Sequence, residues 1–215
     1  MVRTESGLWA VADGMGGHEA GDVASAKVAE ALSALPATNG LDVLVGDAIA
    51  ALERTNQELI ALAGSADGSR SIGTTVVGLA IADDQFRCFW AGDSRAYRIR
   101  GDQIVQLTRD HSLVQDLIDA GMLQPDEAED HPNSNIITRA VGVSSDLRVD
   151  TVGGDVRPGD QFLLASDGLT RLVSDRELAA ELTSGTAEEA ADRLIEATLA
   201  RGAPDNVSLV IAKVH

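Results

Sequence analysis

Asp13, Asp93, Asp167 and Asp205 come from distant parts of the chain but share one setting. Each lies at or beside the end of an apolar run, next to glycine or a small polar residue. The runs are Leu8-Trp-Ala-Val-Ala-Asp13-Gly14, Phe89-Trp-Ala-Gly-Asp93-Ser94-Arg95, Phe162-Leu-Leu-Ala-Ser-Asp167-Gly168 and Pro204-Asp205-Asn206 followed by Val-Ser-Leu-Val-Ile. The end of a strand fixes the direction of a side chain, and a following glycine lets the backbone turn so that its carbonyl also faces a ligand. Four carboxylates brought together would repel one another. A hard divalent cation resolves that conflict, because Mg²⁺ and Mn²⁺ prefer oxygen ligands and retained water. Two such ions ~3.5–4 Å apart would share a water or hydroxide as nucleophile. The plainer reading of any one of these residues is an Asp-Gly turn or a helix cap.

Gly14-Met15-Gly16-Gly17-His18 follows the first aspartate and precedes a helix. A glycine-rich loop ahead of a helix suits phosphate. It is not a P-loop, since no Gly-Lys-Ser/Thr follows, and its adjacent second and third glycines do not match the dinucleotide fingerprint.

The positioning elements are legible in outline. Asp22 is the expected cap of a helix running to about Leu35, and residues 41–63 carry apolar residues at helical spacing up to Gly64. Ser174 with Glu177 and Thr186 with Glu189 match the capping box, which predicts helices at about 175–183 and 187–201. A further helix is expected from near Ser112 to Gly121. Strands are expected at Leu8–Ala12, Thr74–Ala82, Gln85–Ala91, Ala96–Arg100, Gln103–Leu107, Gln161–Ala165 and Val207–Val214. Asp83-Asp84 and Gly101-Asp102 read as hairpin connections. Four strands in succession with tight turns predict antiparallel pairing, and helices in blocks before and after predict an α+β sandwich. Gly64–Ser71 reads as a surface loop.

Composition narrows the function. The 215 residues include 17 Lys+Arg against 34 Asp+Glu, a net charge of -17. That balance argues against a nucleic-acid partner and against an anionic membrane surface. No apolar run is long enough to span a bilayer, and the first residues hold no signal core. Hydrophobic residues at 44% support a globular core, which aromatics at 3% leave to Val, Leu, Ile and Ala. Cys88 is the only cysteine, so no disulfide framework or cysteine zinc site exists, and a reducing, cytoplasmic setting is expected.

Six motifs carry a definite resemblance. Asp13-Gly-Met-Gly-Gly-His18, Gly73-Thr-Thr75, Ala91-Gly-Asp-Ser-Arg95, Leu107-Thr-Arg-Asp-His-Ser112, Ser166-Asp-Gly-Leu169 and Asp205-Asn-Val207 occur in the order found in the protein phosphatase 2C family. The chain resembles the bacterial branch of these metal-dependent serine/threonine protein phosphatases from about Leu8 to Val214. The resemblance implies one domain over residues 1–215, with a four-layer α-β-β-α sandwich of two antiparallel sheets. It implies that Asp13 bridges two Mn²⁺ or Mg²⁺ ions, that the Gly14 carbonyl joins one, and that Asp167 and Asp205 join the other. A third ion would use Asp93 together with Asp167. A metal-bridged hydroxide would then attack the phosphorus of a phosphoserine or phosphothreonine in a protein, without a phosphoenzyme.

The family's Arg-x-x-Asn-x-Asp motif, expected well before Asp13, is not in this chain, and Arg3 does not match it. The expectation is a misplaced start or a truncation at the amino terminus, with the first strand of a sheet missing. The alternative is a catalytically impaired, phosphatase-like binding module. Met15 stands where the animal branch has a histidine, so that role is not carried over; His18 is the nearest replacement in the loop, and the alternative for it is a polar contact at the start of the helix. Residues 112–141 fall where relatives carry a mobile flap, which makes Arg139 a candidate substrate contact. The alternative for Arg139 is a surface ion pair. Arg95 is expected to pair with a nearby acid, His111 to be structural, His131-Pro132 to mark a turn and Cys88 to be a small core residue. The runs Leu8–Ser25 and Arg109–Val114 are similar to phosphatases associated with type VI secretion. Those oppose a Ser/Thr kinase, so phosphoproteins and a cognate kinase system are the expected partners of a monomer.

Overall fold

The computed structural model describes residues 1–16, 18–36, 40–65, 72–128 and 131–215, with the side chains of His18, Glu19 and Ser65 left out. The loop expected at Gly64–Ser71 therefore falls largely outside the described residues. Among the described residues, eleven strands form a five-stranded sheet in the order β1-β2-β5-β6-β9, a four-stranded sheet in the order β11-β10-β7-β8, and the small pair β3-β4. The first sheet comprises β1 (Val2–Arg3), β2 (Leu8–Val11), β5 (Val76–Ala82), β6 (Gln85–Ala91) and β9 (Asp150–Asp155). The second comprises β7 (Arg95–Arg100), β8 (Gln103–Gln106), β10 (Gln161–Ala165) and β11 (Leu209–Lys213), and the pair is β3 (Gly14–Met15) with β4 (Gly73–Thr74). Every pairing is antiparallel.

Alternation along the strands sorts side chains into three cores and sets the layers. Val77, Leu79, Cys88, Phe162 and Leu164 meet between the two sheets. Val76, Ala80, Phe89 and Ala91 face outward from the first sheet onto α1 (His18–Ser33) and α2 (Leu41–Ser65). Tyr97, Leu163 and Ala165 face outward from the second onto α4 (Asp167–Thr170), α5 (Asp175–Leu182) and α6 (Ala187–Ala200). The result is the expected α-β-β-α order. The few aromatics are concentrated inside: Phe86, Phe89, Trp90, Tyr97 and Phe162 are all buried. Gly78 makes this possible at one point, because a Cβ there would lie 2.1 Å from the Phe89 ring.

Both capping boxes form, at Ser174–Glu177 and Thr186–Glu189, and Ser112 caps α3 (Leu113–Asp119). Asp83 and Asp84 both adopt positive φ, 53° and 57°, as a tight hairpin requires. Cys88 is fully buried, and burial pushes its thiol well above the ordinary range.

Four expectations need correction. The first helix begins at His18, a full turn before Asp22, so Asp22 is an exposed residue inside it and not its cap. Helix α2 runs through Gly64 to Ser65. The expected strand Thr74–Ala82 breaks at Thr75 into β4 and β5. Finally, the four successive strands do not pair throughout: β5 pairs β6 and β7 pairs β8, while Gly92-Asp93-Ser94 carries the chain from one sheet to the other.

Candidate metal centre

The crossover between sheets is the first device that builds the site. Gly92 turns there with φ of +128°, and a Cβ would lie 2.6 Å from Thr75 Cβ, so only glycine brings the two chain segments this close. His111 grips the turn from behind. Its N–H donates to the Gly92 carbonyl at 3.0 Å, and its Nδ1 accepts from the Gly92 N–H at 3.1 Å. With Nδ1 accepting, the neutral ring carries its proton on Nε2, 3.2 Å from Asp150 Oδ2. The ring stacks on Trp90 at 5.9 Å, so His111 is a structural clamp, and Asp93 is buried just beyond it.

Thr74 and Thr75 hold Asp13. The Asp13 carbonyl accepts from the Thr75 N–H at 2.8 Å and the Thr74 hydroxyl at 2.9 Å, and the Asp13 N–H donates to Thr75 Oγ1 at 3.2 Å. Asp13 is thereby aimed by its backbone, leaving its carboxylate free for the cavity. Gly14 follows with helix α1 pressed on it: a Cβ on Gly14 would lie 2.0 Å from the Gly21 carbonyl oxygen.

Asp167 opens α4 directly after β10, and Asp205 lies in the loop before β11. Two contacts set their separation. The Ser208 N–H donates to Ser166 Oγ at 3.0 Å, and the Ser166 N–H donates to the Ser208 carbonyl at 2.9 Å. A Cβ on Gly168 would meet the Asn206 carbonyl oxygen at 2.1 Å, so glycine is required where the two loops touch.

Asp13, Gly14, Asp93, Asp167 and Asp205 line one open cavity of about 410 Å³, with Thr75 beneath and Asn135, Ile137 and Arg171 around it. Burial is the main reason that Asp13 is raised to about 7, followed by the charges of Asp167 and Asp205 and a hydrogen bond with Asp167. Two carboxyls can share a hydrogen bond only when one is protonated. Asp93 is likewise raised to about 7 by burial, with Asp167 and Asp110 adding to the effect and Arg171 opposing it. Among the described residues no three His, Cys, Asp or Glu side chains form a ready cage for a single ion. The charges of Asp167 and Asp205 act on Asp13, and that of Asp167 also acts on Asp93. A divided, all-oxygen, mutually repelling set fits ions that keep several of their waters, as Mg²⁺ and Mn²⁺ do.

The other predicted positions fall outside this group. The side chain of His18 lies outside the described residues. Arg139 does not reach the cavity: it bonds Asp150 Oδ1 at 2.7 Å and lies 3.1 Å from His111 Nε2. Arg95 is held by both oxygens of Asp110, at 2.7 to 3.0 Å. The Asn133 N–H donates to His131 Nδ1 at 3.1 Å, closing the turn expected at His131-Pro132, while Glu129 and Asp130 before it lie outside the described residues.

Sequence reasoning missed Arg171, whose Nε lies 2.9 Å from Asp167 Oδ2 and whose Nη2 lies 3.8 Å from Asp93 Oδ2. The i, i+4 spacing from Asp167 was the available signal.

Two antiparallel sheets between helices thus gather carboxylates from both sheets around one cavity. The family profile of protein phosphatase 2C matches residues 2–202, and the chain belongs to that family. Serine/threonine protein phosphatase PstP of Mycobacterium tuberculosis is 37% identical over 207 residues, 96% of this chain and 40% of that protein. This chain thus spans about two fifths of the PstP length. Among solved structures, PppA, described as a key regulatory component of the type VI secretion system in Pseudomonas aeruginosa, superposes with a TM-score of 0.93. It is 40% identical and covers 100% of this chain and 89% of its own. The catalytic domain of PstP in complex with two manganese ions gives 0.85 at 35% identity, covering 97% of this chain and 88% of its own.

Proposed function

We propose that this chain is a metal-dependent phosphatase that hydrolyses phosphoserine and phosphothreonine in proteins, with residues 1–215 acting as one catalytic unit. The observation that carries it is the convergence of Asp13, Asp93, Asp167 and Asp205 on one cavity in a protein phosphatase 2C chain. Asp13, the Gly14 carbonyl, Asp167 and Asp205 would hold two Mn²⁺ or Mg²⁺ ions, and Asp93 with Asp167 a third. Bound ions of this kind supply an activated water and offset charge on the phosphoryl oxygens. The protein's own part is positional. Thr75 fixes the backbone of Asp13, and Gly168 seats Asp167 against the Asp205 loop. His111 holds the turn that presents Asp93. Asn135 and Ile137 form the wall against which a phosphopeptide would lie. Hydrolysis breaks the bond between phosphorus and the seryl or threonyl oxygen, which leaves with a proton. His18 is the side chain proposed to supply it.

The manganese-bound relative supports the choice of ion, and likeness to PppA supports a role in regulating a type VI secretion system. The proposed setting is the cytoplasm, where the chain would act as a monomer on phosphoproteins and oppose a Ser/Thr kinase. No helix among the described residues is long and apolar enough to cross a membrane. No feature of the cavity favours the non-catalytic binding module.

The test is turnover of a phosphothreonine peptide with Mn²⁺ by the wild type and by Asp13→Ala and Asp167→Ala. Loss in both variants, with circular dichroism unchanged, is expected. Turnover at the wild-type rate in either variant, or none in a wild type that binds Mn²⁺, would overturn the reading.

A further inference from the structure

Among the described residues, Arg171 is the one cation ion-paired with any of the four cavity aspartates, and it pairs with two. Its Nε lies 2.9 Å from Asp167 Oδ2, and its Nη2 lies 3.8 Å from Asp93 Oδ2. One guanidinium thus spans the Asp93–Asp167 pair, the space that an ion shared by those carboxylates would need. The neighbouring arginines cannot take this place, because Arg95 is committed to Asp110 and Arg139 to Asp150. Nη1 is anchored on Asn135 Oδ1, while Nη2, the nitrogen that faces Asp93, also donates to the Ser134 carbonyl at 3.3 Å. The side chain is 38% exposed, so solvent gives it room to withdraw from the carboxylates.

We propose that Arg171 is the resident counter-cation of the Asp93–Asp167 pair, and that its displacement sets how tightly the pair takes a divalent ion. The proposal rests on reading these carboxylates as metal ligands. Asp13 and Asp205 have no such competitor among the described ion pairs, so the ions filling the cavity divide into a tighter class at Asp13 and Asp205 and a weaker one at Asp93. A divalent ion arriving at Asp93 meets a like charge a few ångströms away and must move it. Removing that charge lowers the barrier to occupancy, and a lysine, which keeps the charge, should not.

The experiment is calorimetric titration of metal-stripped wild type, Arg171→Gln, Arg171→Met and Arg171→Lys with Mn²⁺ at one pH and ionic strength. Thermal melts of each protein check the fold. The weakest Mn²⁺ site should tighten about tenfold or more in the two neutral variants, while Arg171→Lys stays close to wild type. An unchanged or weaker site in natively melting neutral variants would overturn the proposal, as would a lysine variant that behaves like glutamine. Wild type that binds Mn²⁺ alongside unmoved variants sinks this proposal alone. Absence of Mn²⁺ binding in all four proteins sinks the metal-centre reading and the proposal with it.

Discussion

The hydroxyl oxygens of Thr75 and Ser94 lie 2.7 Å apart, and this buried contact joins the backbone that aims Asp13 to the turn that carries Asp93. Thr75→Val keeps the shape and deletes the hydroxyl, leaving Ser94 and the Asp13 N–H without their partner. Stability should fall by about 1–3 kcal/mol. Metal-dependent turnover should fall about 10- to 100-fold, with Thr75→Ser recovering most of it. Denaturant unfolding beside steady-state kinetics checks both, and unimpaired turnover in the valine variant would count against the hydroxyl's role.

Gly168→Ala tests the seating of Asp167 against the Asp205 loop. The added methyl meets the Asn206 carbonyl, a backbone atom that cannot rotate aside. The loops must separate, at a cost of about 1–3 kcal/mol in stability. Mn²⁺ affinity should drop along with it. A variant as stable and as metal-avid as wild type would show that the loops have slack.

Metal binding should release protons. Asp13 and Asp93 are both raised to about 7, chiefly by burial, so near neutrality each holds a proton for part of the time. Only the ionised form binds a cation. Apparent Mn²⁺ affinity should therefore climb between about pH 6 and about pH 8. Calorimetry in buffers of different ionisation enthalpy should detect protons leaving. Affinity that stays flat across that interval would contradict it.

His111 predicts an acid-side loss of stability. Burial, then the charge of Arg139, lower it below its ordinary 6.5, with Asp150 opposing. The unfolded chain then binds a proton that the native ring refuses. The contribution of the neutral ring is complete above 6.5 and is lost as pH falls from there through the lower folded value. His111→Gln should flatten that part of the stability profile, as read by urea unfolding at stepped pH. A profile as steep as that of wild type would assign the slope to other groups.

The four aspartates were legible because strand ends and glycine neighbours are local features. The capping boxes were legible for the same reason. Strand β9 was not: Gly153 and Gly154 give it a turn's composition, and it exists because β6 offers Phe86 and Arg87 as backbone partners. The start of α1 was missed because Asp22 satisfied a local rule while the helix was extended by packing on Gly14. The partner of Arg139 was not legible, since only the fold shows Asp150 beside it. The crossover at Gly92 was invisible for a similar reason. Hairpin and sheet-changing turns look alike in sequence, and the choice between them is made by the core that fills between the sheets.

That crossover gives the cavity a dependence on distant packing. Asp13 rides on one sheet, Asp167 and Asp205 on the other, and their alignment is transmitted through Leu79, Phe162 and Leu164 in the layer between. The geometry of the cavity thus works as a gauge of sandwich closure. Warming, or trimming Phe162 to leucine, should dim turnover before any helix or strand signal changes, so activity would be the earliest reporter of loosening in this molecule.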